Sequence, residues 1–405
     1  MNPQKLSISD LKDLCAKRVL VRVDYNVPLD ENGNITDDTR IKATLPTIQY
    51  LINSGAKIIL CSHLGRPKGK RDPKQSLKPC AEALGKMLDR PVAFVDDCIG
   101  EKVDAAVAAL RDGDILLLEN LRFYPEEEKN DPAFCEKLAQ NADVYVNDAF
   151  GTAHRAHAST DGVARLIQKR GGPCAAGFLM EKELKYLGEA LANPARPFVC
   201  ILGGAKVSDK INVIENLMKI ADVLLIGGAM AYTFRKAQGY NVGASLCEHD
   251  KLDMARALLE KAKGKNFYLP LDHIQAAKVE PGAPTEVTPD PNIRDGWHGV
   301  DIGPKTIEQY KQILSTAKTV IWNGPMGVFE IPDFAKGTFE IARAVAEITA
   351  KNAATTIIGG GDSAKAVKKA KVQDQVAFVS TGGGATLEFL EGKLLPGVAA
   401  LNDKT

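Results

Sequence analysis

Phe198-Val199-Cys200-Ile201-Leu202-Gly203-Gly204-Ala205-Lys206 is the stretch on which the fold turns. Five consecutive apolar residues read as a strand buried on both faces, the pattern of a parallel sheet. Two glycines end the run, and Val207, Ile211, Ile214 and Leu217 follow at helical spacing. The next apolar run, Val223–Ile226, closes on Gly227-Gly228. Strand, glycine turn, helix and strand in that order form the repeating unit of an α/β fold.

The unit recurs in both directions. Further short apolar runs fall at 266–269, 319–322, 355–358 and 376–379 downstream, and at 18–23, 56–60, 91–94, 114–118 and 143–146 upstream. A chain of 405 residues exceeds one ordinary core. The pattern therefore predicts two Rossmann-like lobes, each a mostly parallel sheet covered by helices on both faces. Residues 1–173 form the first lobe and 198–392 the second. Between them, 174–197 carries a charged amphipathic helix at 181–191, stopped by Asn193-Pro194 and Arg196-Pro197. Residues 280–298, rich in Pro, Gly and Asp, read as a long surface excursion.

Composition narrows the function. The chain is 45% hydrophobic and 25% charged, with a net charge of +1, so no global field draws it to nucleic acid or an anionic membrane. Residues 1–10 lack an apolar core of signal-peptide length, and no apolar stretch is long enough to span a bilayer. Eight cysteines form no Cys-x-x-Cys pair and no His cluster has zinc spacing, which reads as reduced thiols in a cytoplasmic protein.

The unusual residues follow the carboxyl ends of the predicted strands, where open parallel sheets bind ligands. Their chemistry differs between the halves. The first half offers Arg22, Asp24 and Asn26 alternating along a strand end, then Arg40, His63, Arg66, Arg122 and Arg155 in later loops. Singly each is a surface cation. Recurring after successive strands, they suit a small acid carrying phosphate and carboxylate. Asp24 and Asn26 are placed to hold a hydroxyl, while His154 and His157 read as loop packing.

The second half offers glycines. Gly203-Gly204 leads to Lys206 and Lys210, four apart on one expected helix face. Either they are solvated lysines after a tight turn or, beside a helix N-terminus, they make a phosphate site. No Walker A loop occurs, and no Gly-x-Gly-x-x-Gly fingerprint occurs here. Gly359-Gly360-Gly361-Asp362-Ser363 frees backbone N–H groups for a ligand. Its Asp362 reads equally as a helix cap or as a carboxylate on Mg²⁺. In Trp322-Asn323-Gly324-Pro325-Met326-Gly327-Val328-Phe329-Glu330, Asn323 would reach phosphate or base and Glu330 ribose hydroxyls. Gly228 and the Thr381-Gly382-Gly383-Gly384 turn complete the set. Two half-sites of different chemistry point to two substrates meeting in a central cleft.

These residues closely resemble the phosphoglycerate kinase family over essentially the whole chain. The marks are VRVDYNVP at 21–28, SHLGRP at 62–67, LENLRF at 118–123, NDAFGTAHRAH at 147–157, ILGGAKVSDK at 201–210, WNGPMGVFE at 322–330, GGGDS at 359–363 and STGGGA at 380–385. Tyr25 stands where Phe is usual and Ser363 where Thr is common. The resemblance implies reversible phosphoryl transfer between 1,3-bisphosphoglycerate and ADP, giving 3-phosphoglycerate and ATP with Mg²⁺. It implies that the acid binds Arg22, Asp24, Asn26, His63, Arg66, Arg122 and Arg155, with Arg40 nearest the transferring group. Lys206 and Lys210 would take the nucleotide phosphates. Asn323, Glu330, Gly361, Asp362 and Ser363 would complete that site with Gly204, Gly228 and Gly360, with Asp362 on the metal. The C-terminus, from about 393, is expected to return to the first lobe, and a monomer is the family expectation.

An acyl phosphate is already activated, so no protein nucleophile is required. Catalysis then reduces to alignment and charge neutralisation, with Arg40 and Lys206 in that role. Another acyl-phosphate kinase sharing the nucleotide lobe, or a two-lobe anion-binding protein without turnover, are the competing readings. The arginine set argues against the first and Lys206 with Asp362 against the second.

Overall fold

The computed structural model describes residues 4–404. By internal contact the chain divides into two compact units. One comprises the chain up to Lys185 together with the segment from Leu394 onward; the other is Tyr186–Lys393. The divide falls inside the helix Phe178–Ala192.

The first unit is built on six parallel strands: β1 Arg18–Arg22, β2 Lys57–Cys61, β3 Ala93–Val95, β4 Ile115–Leu118, β5 Val144–Asn147 and β6 Cys174–Ala176. Their order is β3-β4-β2-β1-β5-β6. The central strands are buried nearly throughout, because helices cover both faces and leave no side for polar residues. β6 lies in the stretch that the sequence suggested as the join. Three small residues, Cys-Ala-Ala, make too short a run to read as a strand, yet they pair with Tyr145, Val146 and Asn147.

The C-terminal segment is stitched into this unit. Gly397 N donates to Ala153 O at 2.8 Å, and Gln168 Nε2 donates to Ala400 O at 2.8 Å. Cys174 N donates to Asn402 Oδ1 at 2.7 Å. A Cβ at Gly397 would stand 2.9 Å from Ala153 Cα, so only glycine lets the tail lie this close to the 150–155 loop.

The second unit carries β7 Phe198–Leu202, β8 Val223–Ile226, β9 Asn266–Tyr268, β10 His273–Ala276, β11 Thr285–Val287, β12 His298–Ile302, β13 Thr319–Asn323, β14 Thr355–Gly359 and β15 Phe378–Val379. Six of these form a parallel sheet in the order β15-β14-β13-β7-β8-β9. Strand order reverses between β7 and β13, so a crevice opens beyond their carboxyl ends. Trp322, Tyr310, Ile341 and Val345 fill the core on one side.

The 280–298 excursion is not wholly irregular. β11, β10 and β12 form a small antiparallel sheet. Its outer strand β11 is exposed on every residue, which removes the apolar run that signals a strand in sequence. Among the described residues no helix is long and apolar enough to cross a membrane.

Candidate functional site

In the first unit the candidate residues gather at the carboxyl edge of β1, β2, β4 and β5. Arg22 is the last residue of β1, in register with Cys61 and Asn147. It corrects the sequence reading: Arg22 is fully buried, whereas Asp24 and Asn26 are part-exposed. Its guanidinium is used inward. Nε donates to Ser159 Oγ at 2.9 Å, Nη1 to Val23 O, and Nη2 to His63 Nδ1 at 3.0 Å. Arginine has no acceptor, so His63 Nδ1 must accept and the imidazole proton sits on Nε2. Arg22 therefore fixes the tautomer of His63 rather than facing solvent beside it.

Two residues behind Arg22 escaped the sequence reading. Ser159 Oγ donates to Glu127 Oε1 at 2.5 Å, and Ser159 N donates to Glu127 Oε2 at 3.1 Å. Glu127 is buried, which raises its carboxyl above the usual range, against the pull of Arg22. The signal available in sequence was an arginine inside the apolar run Val21-Arg22-Val23, which demands a buried partner.

The remaining groups form one electropositive patch. Arg40 Nη1 lies 2.7 Å from Asp24 Oδ2. Asn26 Oδ1 accepts from Gly65 N at 2.9 Å, and Arg122 Nη1 donates to Gly65 O at 3.3 Å. Arg66 and Arg155 are exposed and have no ion pair among the described residues. His63 is held well below the ordinary imidazole range by burial first, then by Arg22, Arg122, Arg40 and His157. His157 is brought down to about 4 by burial and by Arg122, Arg22 and Arg155. Two imidazoles on different loops thus feel the same arginines. A patch whose own cations repel one another is set to take an anion.

In the second unit three loops interlock backbone to backbone. Gly203 N donates to Asn323 O at 2.9 Å, Gly204 N to Pro325 O at 3.2 Å and Gly228 N to Met326 O at 3.0 Å. A Cβ on Gly203 would meet Pro325 O at 2.0 Å, and one on Gly324 would meet Gly203 O at 2.2 Å. Gly204, Gly228, Gly324 and Gly360 all have φ between 69° and 115°, a region that favours glycine. The loops after β7, β8 and β13 therefore form one rigid edge at the switch point.

Lys206 and Lys210 do not share a helix face. The helix begins at Ile211, and both lysines lie in the turns before it. Gly203-Gly204 releases the chain one turn later than the apolar spacing suggests. Lys206 is exposed, whereas Lys210 is part-buried with Nζ on Asn323 Oδ1. Burial lowers the Lys210 ammonium to about 8, against the opposing pull of Asp209 and Asp362.

Ser363 is buried, and its Oγ accepts from Gly324 N at 2.6 Å, tying the β14 loop to the β13 loop. Asp362 projects from the first turn of the helix Gly361–Lys369, exposed, with Lys365 Nζ 3.3 Å away. The N-cap is Gly360 and Asp362 is the second residue of the helix, so it does not stand at the cap position. Glu330 is exposed. Among the described residues no cluster of three metal-ligating side chains exists. A lone carboxylate beside glycine N–H groups fits a cation that takes most ligands from phosphates and water.

The comparisons with known proteins agree in kind. The family model described as phosphoglycerate kinase matches residues 8–393. Phosphoglycerate kinase 3, cytosolic, of Arabidopsis thaliana is 57% identical over 403 residues, covering 98% of this chain and 99% of its own. Phosphoglycerate kinase of Chlorobaculum tepidum is 58% identical over 402 residues, covering 99% of this chain and all of the relative. The structure of phosphoglycerate kinase from Coxiella burnetii superposes with a TM-score of 0.89 at 43% identity, over 98% of each chain.

Proposed function

This chain belongs to the phosphoglycerate kinase family, and from that premise we propose how its own residues carry the reaction. The activity is reversible transfer of the acyl phosphate of 1,3-bisphosphoglycerate to ADP, giving 3-phosphoglycerate and ATP, a step of glycolysis. We assign the acid substrate to the first unit and the nucleotide to the second.

The observation that carries the assignment is geometric: Arg22, Arg40, Arg66, Arg122 and Arg155 stand in the first unit with His63 and His157, Arg22 on His63 at 3.0 Å and Arg66 and Arg155 exposed without an ion pair among the described residues. A small trianionic acid neutralises that field. Arg66, Arg122 and Arg155 supply forks for phosphate and carboxylate. His63 offers Nε2–H, and Asp24 with Asn26 hold the hydroxyl. Arg22 is reassigned from binding to positioning, since it is fully buried and three of its five N–H donors are used on His63, Ser159 and Val23.

On the nucleotide side, Gly204, Gly228, Gly360 and Gly361 let backbone N–H groups approach the phosphates, with Lys206 and Lys210 adding charge. Asn323 positions Lys210, Ser363 braces the loop, and Glu330 takes the ribose. Asp362 would hold Mg²⁺, which would supply positive charge to offset that of the phosphates. The transfer needs no covalent enzyme intermediate, because the acyl phosphate is a ready donor. Arg40 from one unit and Lys206 from the other neutralise the in-flight phosphoryl group, in line between the two substrates. Closure of the units about a hinge would exclude water. We propose a cytoplasmic monomer, in keeping with relatives named cytosolic.

The test is ATP formation from ADP, Mg²⁺ and 1,3-bisphosphoglycerate. Wild-type turnover, with a loss of about 10² to 10³ in kcat for Arg40→Ala at unchanged stability, is expected. A folded Arg40→Ala with normal kcat would remove Arg40 from the transfer, and a folded wild type without turnover would remove the assignment.

A further inference from the structure

Lys206 stands in a turn that the flanking strand and helix leave largely unheld. Between the end of β7 at Leu202 and the helix that starts at Ile211, Val207 is the one buried residue after the glycines. Lys210 N donates to Val207 O at 2.9 Å, which closes the turn on itself. Its middle is tied to the rest of the Tyr186–Lys393 unit by a carboxylate 40 positions on. Ser208 N donates to Glu248 Oε2 at 3.1 Å, and Ser208 Oγ donates to Glu248 Oε1. Both carboxylate oxygens thus engage one residue, which lies midway between Lys206 and Lys210.

Glu248 is itself anchored. Its N–H donates to Thr233 Oγ1 at 3.1 Å, and Thr233 is fully buried on the helix Met230–Ala237. That helix begins with Met230 N donating to Gly204 O at 3.0 Å. One helix therefore holds the turn at two points, directly at Gly204 and through Glu248 at Ser208, and Lys206 hangs between them. Local capping does not account for the carboxylate. Glu248 stands at the N-cap of the short turn His249–Lys251, yet its side chain makes no cap hydrogen bond there.

We propose that Glu248 is a positioning residue for the phosphoryl transfer: it fixes the backbone at Ser208 and so presents Lys206 to the nucleotide phosphates. A carboxylate on a backbone N–H makes a strong, charge-assisted tie. A lysine whose backbone is already ordered loses less conformational freedom when the phosphate arrives. The charge of Glu248 works the other way, since a carboxylate near a polyphosphate repels it. Positioning and charge therefore give opposite signs when the carboxylate is removed. The inference rests on the assignment of Lys206 to the nucleotide phosphates.

The test measures ADP affinity of the full chain by calorimetry in the presence of Mg²⁺, beside steady-state kinetics, with thermal melts to confirm that each variant is folded. Glu248→Ala should weaken ADP about fivefold and raise KM for ATP to match, with KM for 3-phosphoglycerate unchanged. Glu248→Gln should stay within about twofold of the parent, because the amide oxygen accepts from Ser208 N and the amide NH₂ donates to Ser208 Oγ. Ser208→Ala removes one of the two links from the side of the turn and should weaken ADP about twofold. Adding Glu248→Ala to Lys206→Ala should weaken ADP no further, whereas independent effects multiply. Tighter or unchanged ADP binding in folded Glu248→Ala and Ser208→Ala, full additivity with Lys206→Ala, or an equal rise in both KM values overturns the proposal. The two possible failures are distinct. ADP binding indifferent to Lys206→Ala removes the underlying assignment and the inference with it, whereas a loss in Lys206→Ala without one in Glu248→Ala removes the inference alone.

Discussion

Ser159 joins a buried carboxylate to a buried guanidinium, and the consequence is legible in kinetics. Ser159 Oγ accepts from Arg22 Nε and donates to Glu127, while Arg22 Nη2 fixes His63. Ser159→Ala cuts that chain without touching a ligand-facing group. We expect KM for 3-phosphoglycerate to rise about tenfold, or about 1.4 kcal/mol, with KM for ATP unchanged. Equal changes in both constants would mean general loosening instead. Lys210 gives a second residue-scale prediction. Its ammonium is lowered to about 8 by burial, and an adjacent polyphosphate would restore it. Between pH 8 and the ordinary lysine range, nucleotide binding should therefore take up a proton. Calorimetry at about pH 8.5 in two buffers of different ionisation enthalpy reads this directly, and Lys210→Met should abolish it; heats independent of buffer would refute it. The linkage sign for the free protein follows. The folded pKa lies below the unfolded one, so this group adds stability as pH rises above 8 and that gain is lost as pH falls through 8. Most candidate residues were legible as types placed after strands. Arg22 was only half legible: its place in the apolar run Val21-Arg22-Val23 signals burial, but its partners Glu127 and Ser159 lie 105 and more positions away along the chain.

The parallel strands were legible where apolar runs were long enough to be unambiguous. β7 and β8 begin and end where their five and four apolar residues do. β6 and β11 were not, the first for its length and the second for its exposure on every residue. The lysines before Ile211 show the same limit: spacing gives a helical face but not the point at which the helix starts. What joins these elements is glycine packing, and two glycines separate packing from binding. At Gly203 a Cβ would meet the Pro325 carbonyl oxygen at 2.0 Å, backbone against backbone, with no rotamer to relieve it. Gly203→Ala should cost about 2 kcal/mol or more and displace Asn323 as well. At Gly361 a Cβ meets nothing within 4 Å. Gly361→Ala should leave stability within about 0.5 kcal/mol of the parent while raising KM for nucleotide, because the methyl would occupy the space we assign to phosphate. Thermal melts beside nucleotide KM values separate the two. A destabilised Gly361→Ala, or one with unchanged KM, would remove that residue from the site.

Whole-molecule behaviour follows from how the chemistry is divided. Arg40, on the short helix Thr39–Ala43 rather than in a loop, belongs to the first unit and Lys206 to the second, and each unit has its own sheet and core. Neither half of the candidate site holds both substrates' chemistry: one has arginines without a glycine-rich phosphate loop, the other such loops with lysines. That division was readable in sequence, because arginine clusters and glycine clusters segregate along the chain. The return of the C-terminal segment was not derivable from residue pattern, since Leu394 onward carries no run that names its partner; the resemblance alone implied it. With Arg40 and Lys206 proposed on one phosphoryl group, the two substrates together are proposed to favour a closed arrangement of the units. A ligand shifts such an equilibrium only by its differential affinity for the closed state. The acid bound to the first unit alone, or nucleotide to the second alone, gains little by closure, whereas both together gain contacts across it. Small-angle scattering should therefore show the radius of gyration unchanged with either substrate and reduced with 3-phosphoglycerate and a non-hydrolysable ATP analogue together. The reduction should be lost in Arg40→Ala with Lys206→Ala, because both side chains are proposed to hold the transferring phosphoryl group. Compaction by one ligand alone would assign closure to that unit's own site, and no compaction with both would leave catalysis without a means of excluding water.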